Sequence, residues 1–257
     1  MIWVIAGTVD GRTLAVQIQQ HTQEAVLVSV VSQYGAQLAA HEGIEVHQGR
    51  LDKEAMEALI RDKQVSLLVD ASHPYAAVVT ATAREAAGDM DIPYVRFERK
   101  EVPLPDYDKL HHVANETEAA ELAGRLGQCV YLTTGSKTMH IFAKAQALKG
   151  KRVWTRVLPT AEVLTMMEEL NVSPKDIVAM QGPFSYDMNR VMFKDSGADV
   201  VVMKNSGLIG GSDTKLKAAM DLGLHVIVID RPRLAEGAVT ITDVNEFYEL
   251  WKDLKDE

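Results

Sequence analysis

Met1-Ile2-Trp3-Val4-Ile5-Ala6-Gly7-Thr8-Val9-Asp10-Gly11-Arg12 opens the chain. Residues 2–6 are an apolar run, broken at once by Gly7-Thr8, and an amphipathic stretch follows over 12–20. A short apolar run ending at a glycine reads as a buried strand, and the stretch after it as a helix. The run has no basic residues ahead of it and is too short for a signal peptide or a membrane span. A strand, a glycine-bearing turn and a helix are what a dinucleotide pyrophosphate needs. Glycine lets the backbone approach the phosphates, and the free N–H groups of the helix N-terminus point at them. Thr8 adds a hydroxyl and Arg12 a cation. The spacing here is Gly7-x3-Gly11, not the full G-x-G-x-x-G. The turn alone therefore also fits an ordinary strand-to-helix connection, and its place as the first β–turn–α unit favours the nucleotide.

Outward from this turn the same alternation continues. Strand-like runs lie at 2–6, 26–31, 44–47, 65–70 and 92–97, with helical stretches at 12–20, 52–63 and 76–88. Val26-Leu27-Val28 and Leu67-Leu68-Val69 are near-continuous apolar runs, which suit parallel strands covered on both faces. Further strands read at 128–133, 152–157, 176–180, 199–203 and 224–229, and helices at 115–126, 137–148, 160–170, 185–194, 213–222 and 243–254. Between the two sets sits Glu101-Val102-Pro103-Leu104-Pro105-Asp106-Tyr107-Asp108, poor as helix or central strand. The expected class is α/β, with two Rossmann-like doubly wound domains, mostly parallel sheets and an interdomain cleft. The expected division is 1–100, a linker at 101–108, and 109–257.

Composition sets the outer limits. The chain has 257 residues, 47% of them apolar and 25% charged, an ordinary globular balance. Lys plus Arg is 27 and Asp plus Glu is 36, giving a net charge of −9. That argues against a nucleic-acid coat or a polybasic membrane binder, but not against small anions held by a few local cations. The one cysteine, Cys129, allows no intramolecular disulfide and no cysteine zinc cluster, which fits a cytoplasmic protein. His111-His112 has no second ligand pair at metal spacing, so no metal site is expected.

The strand ends carry the polar residues. The second strand ends in Val28-Ser29-Val30-Val31-Ser32-Gln33-Tyr34-Gly35, without the acid that usually binds the ribose 2′-hydroxyl of NAD. Ser32 and its neighbours suit a 2′-phosphate, so NADPH is the expected cofactor. The fourth ends in Asp70-Ala71-Ser72-His73-Pro74-Tyr75, where His73 is placed to bind a ligand or move a proton. The later strand ends are Thr133-Thr134-Gly135-Ser136-Lys137, Gln181-Gly182-Pro183-Phe184-Ser185, Lys204-Asn205-Ser206-Gly207 with Thr214-Lys215, and Arg231-Pro232-Arg233. Each is ordinary by itself. Together they make a polar, locally cationic face in an acidic chain.

This ordered set resembles the precorrin-6A reductase family, including its cobalt-precorrin-6A form. Gly7-Thr8-Val9-Asp10-Gly11-Arg12 is similar to the family's Gly-Thr-x-Glu-Ala-Arg, and Asp70-Ala71-Ser72-His73-Pro74-Tyr75-Ala76 to its Asp-Ala-Thr-His-Pro-Phe-Ala. Val95-Arg96-Phe97-Glu98-Arg99 resembles its Arg-x-Glu-Arg segment. Asp10 and Gly11 depart from Glu and Ala, Asn205 stands where Asp is common, and Lys100 where Pro is frequent. The resemblance implies NADPH on the first domain and reduction of one double bond of a corrin precursor in cobalamin biosynthesis. The implied cofactor residues are Gly7, Thr8, Asp10, Gly11, Arg12, Ser32, Gly35, Ser72 and His73. The implied substrate residues are Gly135, Ser136, Lys137, Gly182, Phe184, Ser185, Lys204, Asn205, Ser206, Gly207, Thr214, Lys215 and Arg231, where lysines and arginines pair with acetate and propionate arms. His73, Tyr75 and Lys204 are the catalytic candidates, and the proton donor is not identified. The expected state is a monomer that makes at most transient contact with neighbouring pathway enzymes. Two other readings stay open: a different two-domain NAD(P)H reductase, and a dinucleotide-sensing module without chemistry.

Overall fold

The computed structural model describes residues 1–232 and 237–256. Arg233 lies outside the described residues. The chain forms two compact units, one of Met1–Lys100 with Pro232–Glu257, the other of Glu101–Arg231.

The first unit contains β1 (Ile2–Ile5), α1 (Val9–Thr22), β2 (Val26–Val30), α2 (Gln33–Ala39), β3 (Ile44–Gln48), α3 (Lys53–Lys63), β4 (Leu67–Asp70), α4 (Ala77–Asp89) and β5 (Tyr94–Phe97). The second contains β6 (Leu110–Val113), α5 (Glu116–Leu126), β7 (Cys129–Leu132), α6 (Met139–Lys144), β8 (Arg152–Val157), α7 (Ala161–Glu169), β9 (Ile177–Ala179), α8 (Tyr186–Ser196), β10 (Val200–Lys204), α9 (Ser212–Asp221) and β11 (His225–Ile229). The chain then returns to the first unit with β12 (Val239–Ile241) and α10 (Val244–Asp256).

The first sheet runs β12-β5-β4-β1-β2-β3 and is parallel throughout. The central strands β1, β2 and β4 are buried on both faces, and their side chains alternate between two cores. Ile2, Val4, Val26 and Val28 pack with Leu14 and Ile18 of α1 and Phe247 of α10. Trp3, Ile5, Leu27 and Leu68 pack with Met56 and Ile60 of α3 and Ala83, Ala86 and Ala87 of α4. Trp3 meets its polar need inside this second core by donating its indole N–H to Ser29 Oγ at 3.0 Å.

The C-terminal segment corrects the expected boundary. Residues from Pro232 onward belong to the first unit. Val239, Thr240 and Ile241 pair with Val95, Arg96 and Phe97, so β12 is the sixth strand of that sheet. Phe247 is fully buried there, worth about 1.5–3 kcal/mol for its side chain. Tyr248 stacks on His21 of α1, ring centroids 3.6 Å apart, and Lys255 pairs with Glu24 at 2.7 Å.

The second sheet runs β6-β11-β10-β7-β8-β9, also parallel throughout. Tyr131, Val201, Met203, Val226 and Val228 form one face with Phe193 of α8 and Leu216, Ala218 and Ala219 of α9. The expected linker is part of this unit. Val102 is buried, and Asn205 grips its backbone from both sides: Val102 N donates to Oδ1 at 3.1 Å and Asn205 Nδ2 donates to Val102 O at 2.8 Å. Leu104 and Tyr107 pack on the α8–α9 core. The helix expected over 137–148 is interrupted: α6 ends at Lys144, and Gln146–Leu148 forms a short 3-10 turn. Three further elements, α2, β6 and β12, lie outside the runs read from the sequence.

Candidate functional site

In an open parallel sheet the crevice opens where neighbouring strands send their connections in opposite directions. In the first sheet that point lies between β1 and β4, since β1 leads to β2 on one side and β4 to β5 on the other. Gly7, Thr8 and residues 71–75 follow these two strand ends.

The turn is built for close approach. A Cβ added at Gly7 would meet nothing within 4 Å. Thr8 caps α1, its Oγ1 accepting from Gly11 N at 3.4 Å. The Val9 and Asp10 N–H groups have no acceptor among the described residues. Gly11 does a different job. It is buried, and a Cβ there would stand 2.9 Å from Ala71 O and 3.2 Å from Ala6 Cα. Its lack of a side chain lets α1 lie against the ends of β1 and β4, which brings the helix N-terminus to the crevice. Asp10 is also indirect. Its carboxylate, which would repel a phosphate, is ion-paired to Arg99 at 2.8 Å. Arg12 is part-exposed in the first turns of α1.

Beyond β4 lies a buried polar network. Asp70 is 0% exposed and Arg96 1%. They pair at 3.0 Å, and the same Asp70 Oδ1 accepts from Ser72 N at 2.9 Å. Arg96 Nη1 also donates to Asp70 O and to Ser72 Oγ, each at 3.1 Å. Tyr94 donates its hydroxyl to Asp70 Oδ2 at 2.9 Å, and burial with the Asp70 charge beside it drives the phenol pKa well upward. Ser72 Oγ further shares a 3.3 Å bond with Thr80. Ser72 is thus a strut of the crevice floor, with its hydroxyl already engaged. His73 is part-exposed above it. His73 Nδ1 accepts from Tyr75 N at 3.2 Å, which sets the neutral ring with its proton on Nε2. At the end of β2, exposed Ser32 caps α2 by accepting from Gly35 N at 3.0 Å.

The second sheet has its own reversal between β7 and β10. Residues 133–138 and 204–207 follow those strand ends. Gly135 has a φ of +79° with open space where a Cβ would stand, Ser136 is part-exposed and Lys137 exposed. Thr134 Oγ1 and Thr138 Oγ1 are buried without a hydrogen-bond partner among the described residues. Across from them, several expected substrate residues hold the loops together. Lys204 pairs with Glu116 at 2.8 Å. Arg231 Nε donates to Asn205 O at 3.0 Å and pairs with Glu101 at 3.0 Å. Ser206 N donates to buried Ser212 Oγ at 3.0 Å, and Gly210 packs so tightly on Ser206 that any Cβ there would collide with it. Gly207 takes a φ of +81°. Thr214 Oγ1 donates to Phe184 O at 3.0 Å, tying α9 to the loop that carries Gly182 and Ser185, the latter capping α8.

Comparison with known proteins decides the family. The sequence profile of precorrin-6x reductase CbiJ/CobK matches residues 1–252. The chain belongs to the precorrin-6x reductase family. It is 38% identical over 243 residues to the cobalt-precorrin-6A reductase of Priestia megaterium, covering 94% of each chain. It is 34% identical to that of Salmonella typhimurium, covering 90% of this chain and 87% of the relative. The precorrin-6A reductase of Mycobacterium tuberculosis (strain H37Rv) is 29% identical, with 95% and 94% covered. Among solved structures, CobK precorrin-6A reductase superposes with a TM-score of 0.77 at 23% identity, covering 98% of this chain and 96% of that one, and so shares the fold.

Within this family member, three arginines have structural partners that the sequence alone does not reveal. Arg96 sits in the apolar strand Tyr94-Val95-Arg96-Phe97, and a charge there demands a buried acid, which Asp70 supplies from the next strand. Arg99 is identified only by its partner Asp10. Arg156 interrupts β8 in the same way, and its surroundings contain no acid within ion-pair distance among the described residues. Among the described residues no group of three or more His, Cys, Asp or Glu is placed to hold a metal, and no helix is long and apolar enough to cross a membrane.

Proposed function

We propose that this chain uses NADPH to reduce one double bond of cobalt-precorrin-6A, or of its metal-free form, as a cytoplasmic enzyme of cobalamin biosynthesis. The observation that carries this is the open β1–α1 turn at the first reversal, in a chain of the precorrin-6x reductase family. The turn fits a pyrophosphate: open space above Gly7, free N–H groups on Val9 and Asp10, and an acid neutralised by Arg99. When bound, the cofactor supplies the hydride. The chain's own residues supply position. Gly7, Thr8 and Arg12 hold the phosphates, Gly11 seats the helix, and Ser32 with the α2 N-terminus meets the 2′-phosphate. His73 and Tyr75 line the nicotinamide end, over a floor fixed by Asp70, Arg96 and Ser72. The second unit holds the macrocycle through residues 134–138 and the loops around Phe184 and Ser206. The cobalt form is favoured because the relatives at 38% and 34% identity carry that name.

The test is a paired assay. Purified protein with NADPH is mixed with metal-free or cobalt-bearing precorrin-6A, and absorbance of the cofactor and the tetrapyrrole is followed. NADPH oxidation is expected with both, faster with cobalt, and NADH should bind more weakly. No oxidation with either substrate would sink the assignment, and equal binding of NADH would remove the 2′-phosphate role of Ser32.

A further inference from the structure

Among the described residues, the most buried cations of the second unit make no ion pair. Arg156, near the end of β8, is 8% exposed, and Lys215, in the first turn of α9, is 6% exposed. Arg156 Nη1 donates to Asn189 Oδ1 at 2.8 Å and lies 3.7 Å from Met192 Sδ, both neutral partners. Its guanidinium lies over the Phe184 ring, 4.1 Å from the centroid. Lys215 makes no side-chain hydrogen bond or ion pair with any described residue. Asn189 ties the two neighbourhoods together. Its Nδ2 donates to Phe184 O at 3.2 Å and reaches Thr214 Oγ1 at 3.4 Å, next to Lys215 in the chain.

By itself this arrangement is costly. Burial and the charge of Arg156 both disfavour the Lys215 ammonium, with only the exposed Asp213 acting favourably on it. A well-packed apolar pair would be more stable, so the energetic return lies in a ligand. The Phe184 face and the Asn189 amide hold the guanidinium flat, and its remaining N–H groups bond to no described residue. A planar fork beside an ammonium suits a carboxylate.

We propose that Arg156 and Lys215 form a receptor for one carboxylate arm of the tetrapyrrole, with Asn189 and Phe184 positioning the guanidinium. The source of the carboxylate rests on the reductase reading. The receptor itself can be tested apart from turnover.

The full-length protein is titrated with uroporphyrin, a stable polycarboxylate tetrapyrrole, by quenching of tryptophan fluorescence. Lys215→Met and Arg156→Gln should each weaken binding by about tenfold or more, the value of a charge-assisted bond. Lys215→Arg should stay within about threefold of the original chain, because the charge is kept. The Tm of Lys215→Met should equal or exceed that of the original chain, which separates a ligand role from a packing role. NADPH affinity should not move. Unchanged uroporphyrin binding in both variants, or none by the original chain, overturns the receptor; weakened NADPH binding in its place would assign the pair to the cofactor phosphate. With cobalt-precorrin-6A as substrate, KM should rise about tenfold in Lys215→Met with kcat held. A kcat loss at constant KM overturns the proposal. A chain that binds uroporphyrin through this pair yet oxidises no NADPH with either precorrin would remove the reductase reading alone.

Discussion

Lys215 and Asp70 show two fates of a buried charge. Asp70 is matched by Arg96 and by donors from Ser72 and Tyr94, so its desolvation is offset by direct bonds. Lys215 has no such bond. Burial first, and then Arg156, push its pKa from the usual 10.5 down to about 7, against a weaker upward pull from Asp213. In the unfolded chain the ammonium keeps the ordinary value. Between those two pKa values the unfolded chain therefore holds a proton that the folded chain has released, and stability rises with pH. Below about 7 the lysine is cationic in both states, and the whole penalty of the buried charge is present. Replacing Lys215 by Met removes this dependence. The stability advantage of Lys215→Met should be greatest near pH 6 and shrink by roughly 2 kcal/mol between pH 7 and pH 9. Urea unfolding of both proteins at these three pH values measures it. A gap that does not change with pH would mean that Lys215 is solvated in the folded protein.

At the scale of elements, the last strand and helix matter more than their length suggests. β12 has only three residues, and α10 follows it. Together they complete the first sheet beside β5 and close the face over α1 with Phe247, Tyr248 and Trp251. Losing one buried aromatic side chain costs about 3–5 kcal/mol, against a typical total stability of about 5–15 kcal/mol. A chain ending at Pro232 should therefore lose the first unit's cooperative unfolding and become protease-sensitive before Lys100, which limited proteolysis with mass spectrometry would show. Protection of residues 1–100 in that truncated chain would mean that five strands suffice. The same elements mark what could be read from the sequence. Long apolar runs such as 26–31 and 199–203 were legible because a parallel strand covered on both faces leaves an unbroken apolar signature. β12 was not, since Val239-Thr240-Ile241 is too short to show a period and its partner lies far back in the chain. β6 was hidden by its two histidines: His111 contacts His225 at 3.1 Å, and burial with that neighbour holds its pKa low. At the site, glycines and strand ends were legible as positions. Their roles were not, because Gly11 and Ser72 act through neighbours that only the fold brings together.

For the molecule as a whole, the order of the chain and the order of the units differ. The first unit is made of two separated stretches, while the second runs unbroken from Glu101 to Arg231. All six strands of the second sheet lie inside that stretch, so none of its ladder hydrogen bonds depends on the rest of the protein. Its ends are also fastened within it. Glu101 pairs with Arg231 at 3.0 Å, Arg231 Nε reaches Asn205 O, and Asn205 holds Val102 by both backbone groups. First and last residues tied side by side are what an inserted domain needs, since its chain must enter and leave at one place. A stretch of roughly 130 residues also buries enough surface to fold alone. Residues 101–231 expressed alone should therefore be a folded α/β protein with a single sharp thermal transition, whereas residues 1–100 alone, lacking β12 and α10, should not. Circular dichroism and calorimetry on the two fragments decide this. If the receptor lies wholly in the second unit, the 101–231 fragment should also keep a measurable affinity for uroporphyrin and lose it on Lys215→Met. A fragment that folds but ignores Lys215 would place the decisive carboxylate contacts on residues other than the buried cation pair.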